Sequence, residues 1–195
     1  MRDYVVNLYT FAYLNAPYGD ASVLEFDDRT PAAFEEAEKW PGFVARAKQV
    51  DDIPWMTNFQ KDWGRWGPYV TPRFYLGGTS SGHTRQAQTL SQWEDINALW
   101  SYVYRGPLHN AALKRRDNWF RSYSWPQYCI WWSPREQQIN WPISVERLEF
   151  MADNGPSSYA FTFKTFHDAD GNPAKLNDAI AASKSRKALA SADEA

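Results

Sequence analysis

From Tyr4 to Leu14 the chain changes side at every residue, with Asn7, Tyr9 and Phe11 on one face and Val6, Leu8 and Ala12 on the other. This is the two-residue period of a strand, and both faces are apolar enough for burial. Thr30-Pro31 offers a helix cap followed by proline at the first helical position, and Phe34, Ala37 and Trp40 recur every third residue until Pro41. A short helix is predicted there. Gly42 to Val50 alternates Phe43, Ala45 and Ala47 with Val44, Arg46 and Lys48, the pattern of a second strand.

The periodicity then dissolves. From Asp51 to Arg85, Pro54, Gly64, Gly67, Pro68, Pro72, Gly77, Gly78 and Gly82 interleave with Trp55, Phe59, Trp63, Trp66, Tyr69, Phe74 and Tyr75. A linker would not carry so much apolar surface, so residues 51–85 are expected to form an ordered aromatic flap. Beyond it, Ala87 to Trp93 predicts a third strand. Glu94 to Tyr104 predicts a helix with Ile96, Leu99, Trp100 and Val103 on one stripe, closed by Gly106. Pro107 starts a further helix to about Phe120, and Gln127 to Trp132 makes a fourth strand with Tyr128, Ile130 and Trp132 opposite Cys129 and Trp131. Ser144 caps a helix bearing Val145, Leu148 and Met151, and Ser158 to Phe163 is expected as a last strand.

This order predicts an α+β fold of ferredoxin-like, split βαβ type: an antiparallel sheet with helices on one face, plus the long aromatic loop insertion. Residues 1–167 form one domain and 168–195 a tail rich in Ala, Ser, Lys and Asp. A second sheet face bearing Tyr and Trp would stand open in a monomer, which predicts a homodimer.

Composition narrows the function. The 195 residues are 44% hydrophobic, ample for one core, and 21 basic against 23 acidic residues give a net charge of −2. A phosphate-tracking surface needs a basic excess, so nucleic acid is not an expected partner. No stretch reaches the roughly 20 apolar residues of a membrane helix, and Met1-Arg2-Asp3-Tyr4 lacks a secretory h-region, so a soluble, cytoplasmic protein with no membrane partner is expected. The single cysteine, Cys129, lies in an apolar run and reads as a buried small hydrophobe. Phe, Trp and Tyr together make 17% of the chain, with 11 of each.

Candidate chemistry follows from residue types. His109 shares a helix face with Leu113, Arg116 and Phe120, and an imidazole titrating near neutrality can exchange a proton while Arg105 or Arg116 holds an anion. His83 sits at the flap's end and His167 near the C-terminus. The three histidines are too scattered to form a metal site, and no dinucleotide, Walker or serine hydrolase signature is present, so no cofactor is expected. Trp55, Trp63 and Trp66, with Tyr69 and Phe74, suit a flat hydrophobic ligand, because aromatic faces stack and attract developing positive charge. Asn7, Tyr9, His83, Trp93 and Tyr104 complete the expected substrate contacts.

At Trp93-Glu94, Tyr102-Val103-Tyr104-Arg105, His109, Lys114-Arg115-Arg116, Trp119-Phe120 and Trp131-Trp132 the sequence resembles a bacterial and fungal domain-of-unknown-function family. That family belongs with the dimeric α/β-barrel superfamily, beside the antibiotic-biosynthesis monooxygenases. The resemblance spans roughly Tyr4 to Phe163 and is strongest from Thr89 to Pro134. It departs at Gly106-Pro107 and at the flap. It implies the fold, whereas the superfamily's oxygenases, cyclases, isomerases and haem enzymes leave the reaction open. Residues and resemblance together suggest a cofactor-independent enzyme of natural-product metabolism. It would cyclise or rearrange a hydrophobic aromatic or polyene small molecule with acid/base help from His109. The alternatives are a cofactor-independent monooxygenase of a polyketide-like substrate and a non-catalytic small-molecule or haem-binding protein.

Overall fold

The computed structural model describes residues 4–48, 62–76 and 85–180. In chain order the elements are β1 (Tyr4–Tyr13), α1 (Leu24–Glu38), β2 (Phe43–Arg46), β3 (Gln86–Trp93), α2 (Ile96–Arg105), α3 (Pro107–Leu113), α4 (Arg116–Trp119), β4 (Tyr128–Pro134) and α5 (Trp141–Asn154). The strands form one open sheet in the order β2-β3-β1-β4, every neighbouring pair antiparallel. With its helices, this arrangement fits a ferredoxin-like fold.

Register gives the sheet two sides of different character. Val6 stands opposite Trp93 and Trp132, whereas Tyr9 stands opposite Leu90 and Cys129. Directly opposed residues share a face, so the alternation in β1 propagates across the sheet. On the inner side, Val6, Leu8, Trp93 and Ile130 pack against Ile96, Leu99, Tyr102 and Val103 of α2 and Ala37 of α1. The α2 stripe is set in place by Asp95, whose carboxylate accepts the Ala98 N–H at 2.8 Å. On the opposite, outer side, Tyr9, Phe11, Leu90, Cys129 and Trp131 meet Val145, Leu148 and Met151 of α5, together with Trp63, Trp66 and Tyr75. Burying one such aliphatic side chain contributes about 1.5 to 3 kcal/mol.

Helices therefore cover both faces, not one. The open face that pointed to a second copy is filled from within the chain, leaving Tyr9, Phe11, Cys129 and Trp131 0% exposed. The sheet itself supplies no surface that a partner must cover. The reason is α5, whose apolar stripe was legible but whose side of the sheet was not.

Local corrections have local causes. α1 starts at Leu24 and runs through Pro31, since Val23, buried with Leu14, Tyr18 and Trp119, anchors an earlier start than Thr30-Pro31. The Thr30 hydroxyl donates back to the Phe26 carbonyl at 2.7 Å instead of capping. The helix expected to reach Phe120 breaks into α3 and α4. α5 is capped by Asn140, which accepts from the Ile143 N–H at 2.9 Å, and Ser144 is buried one turn inside. Ser158 to Phe163 is no strand: Phe161 makes a single bridge with Ile130, and Thr162 caps a short 3-10 turn at Phe163–Thr165.

Candidate functional site

The outer side of the sheet is where polar chemistry is buried. Strand alternation projects Asn7 and Tyr9 from β1, Gln86, Gln88 and Gln92 from β3, and Ser133 from β4 toward α5, and all are buried. Asn7 Nδ2 donates to Ser133 Oγ at 2.9 Å, and Gln92 Nε2 donates to Asn7 Oδ1 at 3.1 Å. The Tyr9 phenol donates to Gln88 Oε1, while Gln88 Nε2 donates to the Val70 carbonyl at 3.2 Å, tying segment 62–76 to β3. Burial pushes the Tyr9 and Tyr69 phenols well above their ordinary range, so both stay neutral donors at physiological pH.

Aromatic rings enclose this polar row. Trp63 stacks on Tyr69 at 5.5 Å between centroids and meets Trp141 edge-on at 5.1 Å, and Trp141 stands edge-on to Tyr9 at 6.3 Å. Phe74 stacks on Trp125 at 4.7 Å, and Trp66, with the Arg65 guanidinium over its ring, is buried alongside. The described part of the predicted flap is thus packed on the sheet rather than standing apart. Among the described residues, the buried Trp63, Trp125, Trp131 and Trp141 indole N–H groups meet no acceptor and the buried Gln86 amide meets no partner. An unpaired buried polar group costs about 1 to 3 kcal/mol. Across the sheet, three indoles are satisfied: Trp40 donates to Ser101 Oγ at 2.9 Å, Trp93 to Ser91 Oγ at 3.0 Å and Trp132 to the His167 carbonyl at 2.9 Å.

The sequence-predicted site does not assemble as one. His109 packs on Tyr102 at 4.8 Å, which itself stacks on Trp93 at 5.0 Å, so His109 and Trp93 lie across the sheet from Asn7 and Tyr9. The His109 ring holds the Val103 carbonyl through Nδ1 at 3.0 Å, and its backbone N–H reaches the Glu36 carboxylate at 3.0 Å. It ties α3 to α2 and α1. Burial lowers its pKa, with the Val103 and Glu36 contacts opposing. Arg105 lies over Trp100, Arg116 pairs with Asp117 at 3.4 Å on the surface, and the exposed Tyr104 meets Phe163 edge-on. Trp55 and His83 lie outside the described residues. Asn7, Tyr9, Trp63, Trp66, Tyr69 and Phe74 do come together.

Sequence reading missed Gln86, Gln88, Gln92, Ser133 and Trp141. The signal for three of them was present, since Gln86, Gln88 and Gln92 fall at even spacings on a strand. Among the described residues no group of three or more His, Cys, Asp and Glu is placed to hold a metal, and no helix is long and apolar enough to cross a membrane.

The family described as "Domain of unknown function (DUF3291)" matches residues 6–177. The chain belongs to the DUF3291 family. No curated protein matches this DUF3291 chain. Among solved structures it is similar to the NE2512 protein of unknown function from Nitrosomonas europaea, with 11% identity and a TM-score of 0.37, covering 70% of this chain and 94% of that one.

Proposed function

We propose that this protein is a cofactor-independent enzyme that holds a hydrophobic aromatic or polyene small molecule between the outer sheet side and α5 and promotes its cyclisation or rearrangement. The observation that carries this reading is a row of buried polar side chains inside a layer of aromatic rings, in which the Gln86 amide and four indole N–H groups find no partner among the described residues. A purely structural core gains nothing from leaving indole and amide groups unpaired, whereas a ligand's oxygens satisfy them.

Tyr9 takes the part that sequence alone gave to His109. The Tyr9 phenol has one proton, given to Gln88 Oε1 in this structure; when a ligand oxygen replaces Gln88 as its acceptor, the neutral phenol polarises that oxygen and draws electron density from a neighbouring double bond. The faces of Trp63, Tyr69 and Trp141 attract the positive charge that develops, at roughly 0.5 to 2 kcal/mol per ring. Cofactor-free oxygenation instead needs a base to draw a proton from the substrate, and a phenol with a raised pKa is a poor one. This difference favours cyclisation over the monooxygenase alternative. The strand order supports a place beside the dimeric α/β barrels, and the lone, buried Cys129 suits a cytoplasmic setting.

The test uses citronellal, a hydrophobic alkenal that closes to isopulegol when its carbonyl accepts a hydrogen bond or proton. The protein is expected to quench its own tryptophan emission on binding the aldehyde and to form the cyclic alcohol faster than buffer. Tyr9→Phe should bind with little change and lose the rate. Binding without product would replace the enzyme reading with a carrier, and absence of binding would remove the site.

A further inference from the structure

The Tyr9 side chain is 0% exposed, and segment 62–76 packs on the same side of the sheet. Trp63 and Tyr69 of that segment each stand edge-on to Trp141 at 5.1 Å, and Trp141 is the ring that meets Tyr9. Gln88, which accepts the Tyr9 phenol, also holds the Val70 carbonyl of the segment. A ligand oxygen therefore reaches Tyr9 only after these groups have moved.

How the segment is attached decides whether it can lift. Among the described residues its backbone-to-backbone hydrogen bonds are internal: the Trp66 N–H to the Trp63 carbonyl at 3.1 Å, Gly67 to Gly64 at 3.1 Å and Tyr75 to Pro72 at 2.9 Å. Among those residues none joins it to a strand or helix, whereas β1 is laddered to β3 on one side and β4 on the other. Side chains hold it instead. The Gln88 amide donates to the Val70 carbonyl at 3.2 Å and the Gln138 amide to the Arg65 carbonyl at 2.8 Å, while the Tyr75 hydroxyl accepts the Arg85 N–H at 3.2 Å. On α5, Glu149 accepts the Arg73 N–H and Asp153 pairs with the Arg73 guanidinium in solvent. A segment without a backbone ladder opens locally without breaking the sheet.

Apolar burial opposes lifting, since Trp63, Trp66 and Tyr75 are buried. The seam offsets part of that hold. Three of the indole N–H groups without an acceptor among the described residues lie along it: Trp63 and Trp141 against each other, and Trp125, on which Phe74 stacks at 4.7 Å. Closure leaves these donors desolvated and unpaired, and opening lets them meet water or a ligand. We infer that segment 62–76 is a lid on the outer-side site, latched to α5 by Arg73 through Glu149 and Asp153, and that it lifts to admit the ligand to Tyr9. This concerns the gating of the site proposed above and rests on that reading.

Residue-resolved hydrogen exchange on the full chain reads the lifting without a ligand. The Trp66, Gly67, Arg73 and Tyr75 amides are expected to exchange together, at least about tenfold faster than those of β1. Asp153→Asn, and separately about 0.5 M salt on the native chain, should speed them about two- to fivefold and leave β1 unchanged, the modest effect of a solvent-exposed ion pair. In stopped-flow quenching with citronellal, the observed rate should level off as the aldehyde is raised, at a ceiling that Asp153→Asn lifts by the same factor. Segment amides that exchange only with β1, in one global opening, would overturn the lid and leave the site to its own citronellal test. Exchange unmoved by both Asp153→Asn and salt would overturn the latch. Separate opening with no quenching at any citronellal concentration would overturn the site, and the gate with it.

Discussion

The two sides of the sheet are made from the same strands by alternate residues, yet they differ in how they treat a buried indole. On the inner side Trp40, Trp93 and Trp132 each find an acceptor, and the strand hydroxyls Thr10 and Thr89 bond each other at 2.7 Å. On the outer side four indoles and the Gln86 amide go unpaired among the described residues, within a buried layer. Burial alone therefore does not describe a core. Among the described residues the inner side pairs these indoles but leaves Asn97 Oδ1 of α2 without a partner, whereas the outer side gathers several unmet donors, which on the proposed reading an acceptor-bearing ligand would complete.

The comparison is most strongly tested by truncating the inner layer. Leu99→Ala, fully buried between α2 and the sheet, should lower unfolding free energy by about 2 to 5 kcal/mol in urea titration. A loss under 1 kcal/mol would mean that the inner side is not the load-carrying core. Next, Gln86→Leu should raise stability by about 1 to 3 kcal/mol, because it replaces an unpaired buried amide with an apolar side chain of similar size. A drop in melting temperature would show that the amide has a partner and would erase the contrast. The paired and unpaired indoles give a smaller, direct comparison. Trp93→Phe should cost about 1 kcal/mol more than Trp141→Phe, since only the first orphans an acceptor, Ser91 Oγ.

The smallest effect concerns His109. Its folded pKa is lowered by burial below the ordinary value of 6.5, so the unfolded chain takes up a proton first as pH falls. Stability should be fully present above pH 6.5 and decline as pH drops through that value toward the folded pKa. His109→Gln should flatten that part of the stability curve. In the citronellal assay the same variant should keep its rate, whereas a catalytic His109 would predict its loss.

How much was legible depends on the range of the cause. The faces of β1 and β4 followed from alternation, and Asn7, Tyr9 and Phe11 share the side predicted for them, as do Cys129 and Trp131. The α2 stripe and its partner strand were equally local. The start of α1 was misplaced because Thr30-Pro31 is a genuine local start signal that Val23, packing on Leu14 and Trp119, overrides. His109 was drawn into one site with Tyr9 because residue type is visible in a sequence and the sheet between them is not.

The sequence by itself determined the four strands of the sheet, the alternation that separates two faces, the aromatic surplus and the family resemblance, because each is carried by neighbours within a few positions. Only the tertiary structure decided that α5 and segment 62–76 close the outer side and that Gln88 orients Tyr9. It also decided that the Arg147 guanidinium lies over the Trp131 ring. Those outcomes depend on which face a helix lands on and on whether an acceptor stands within about 3 Å of a donor, distances that no local pattern encodes.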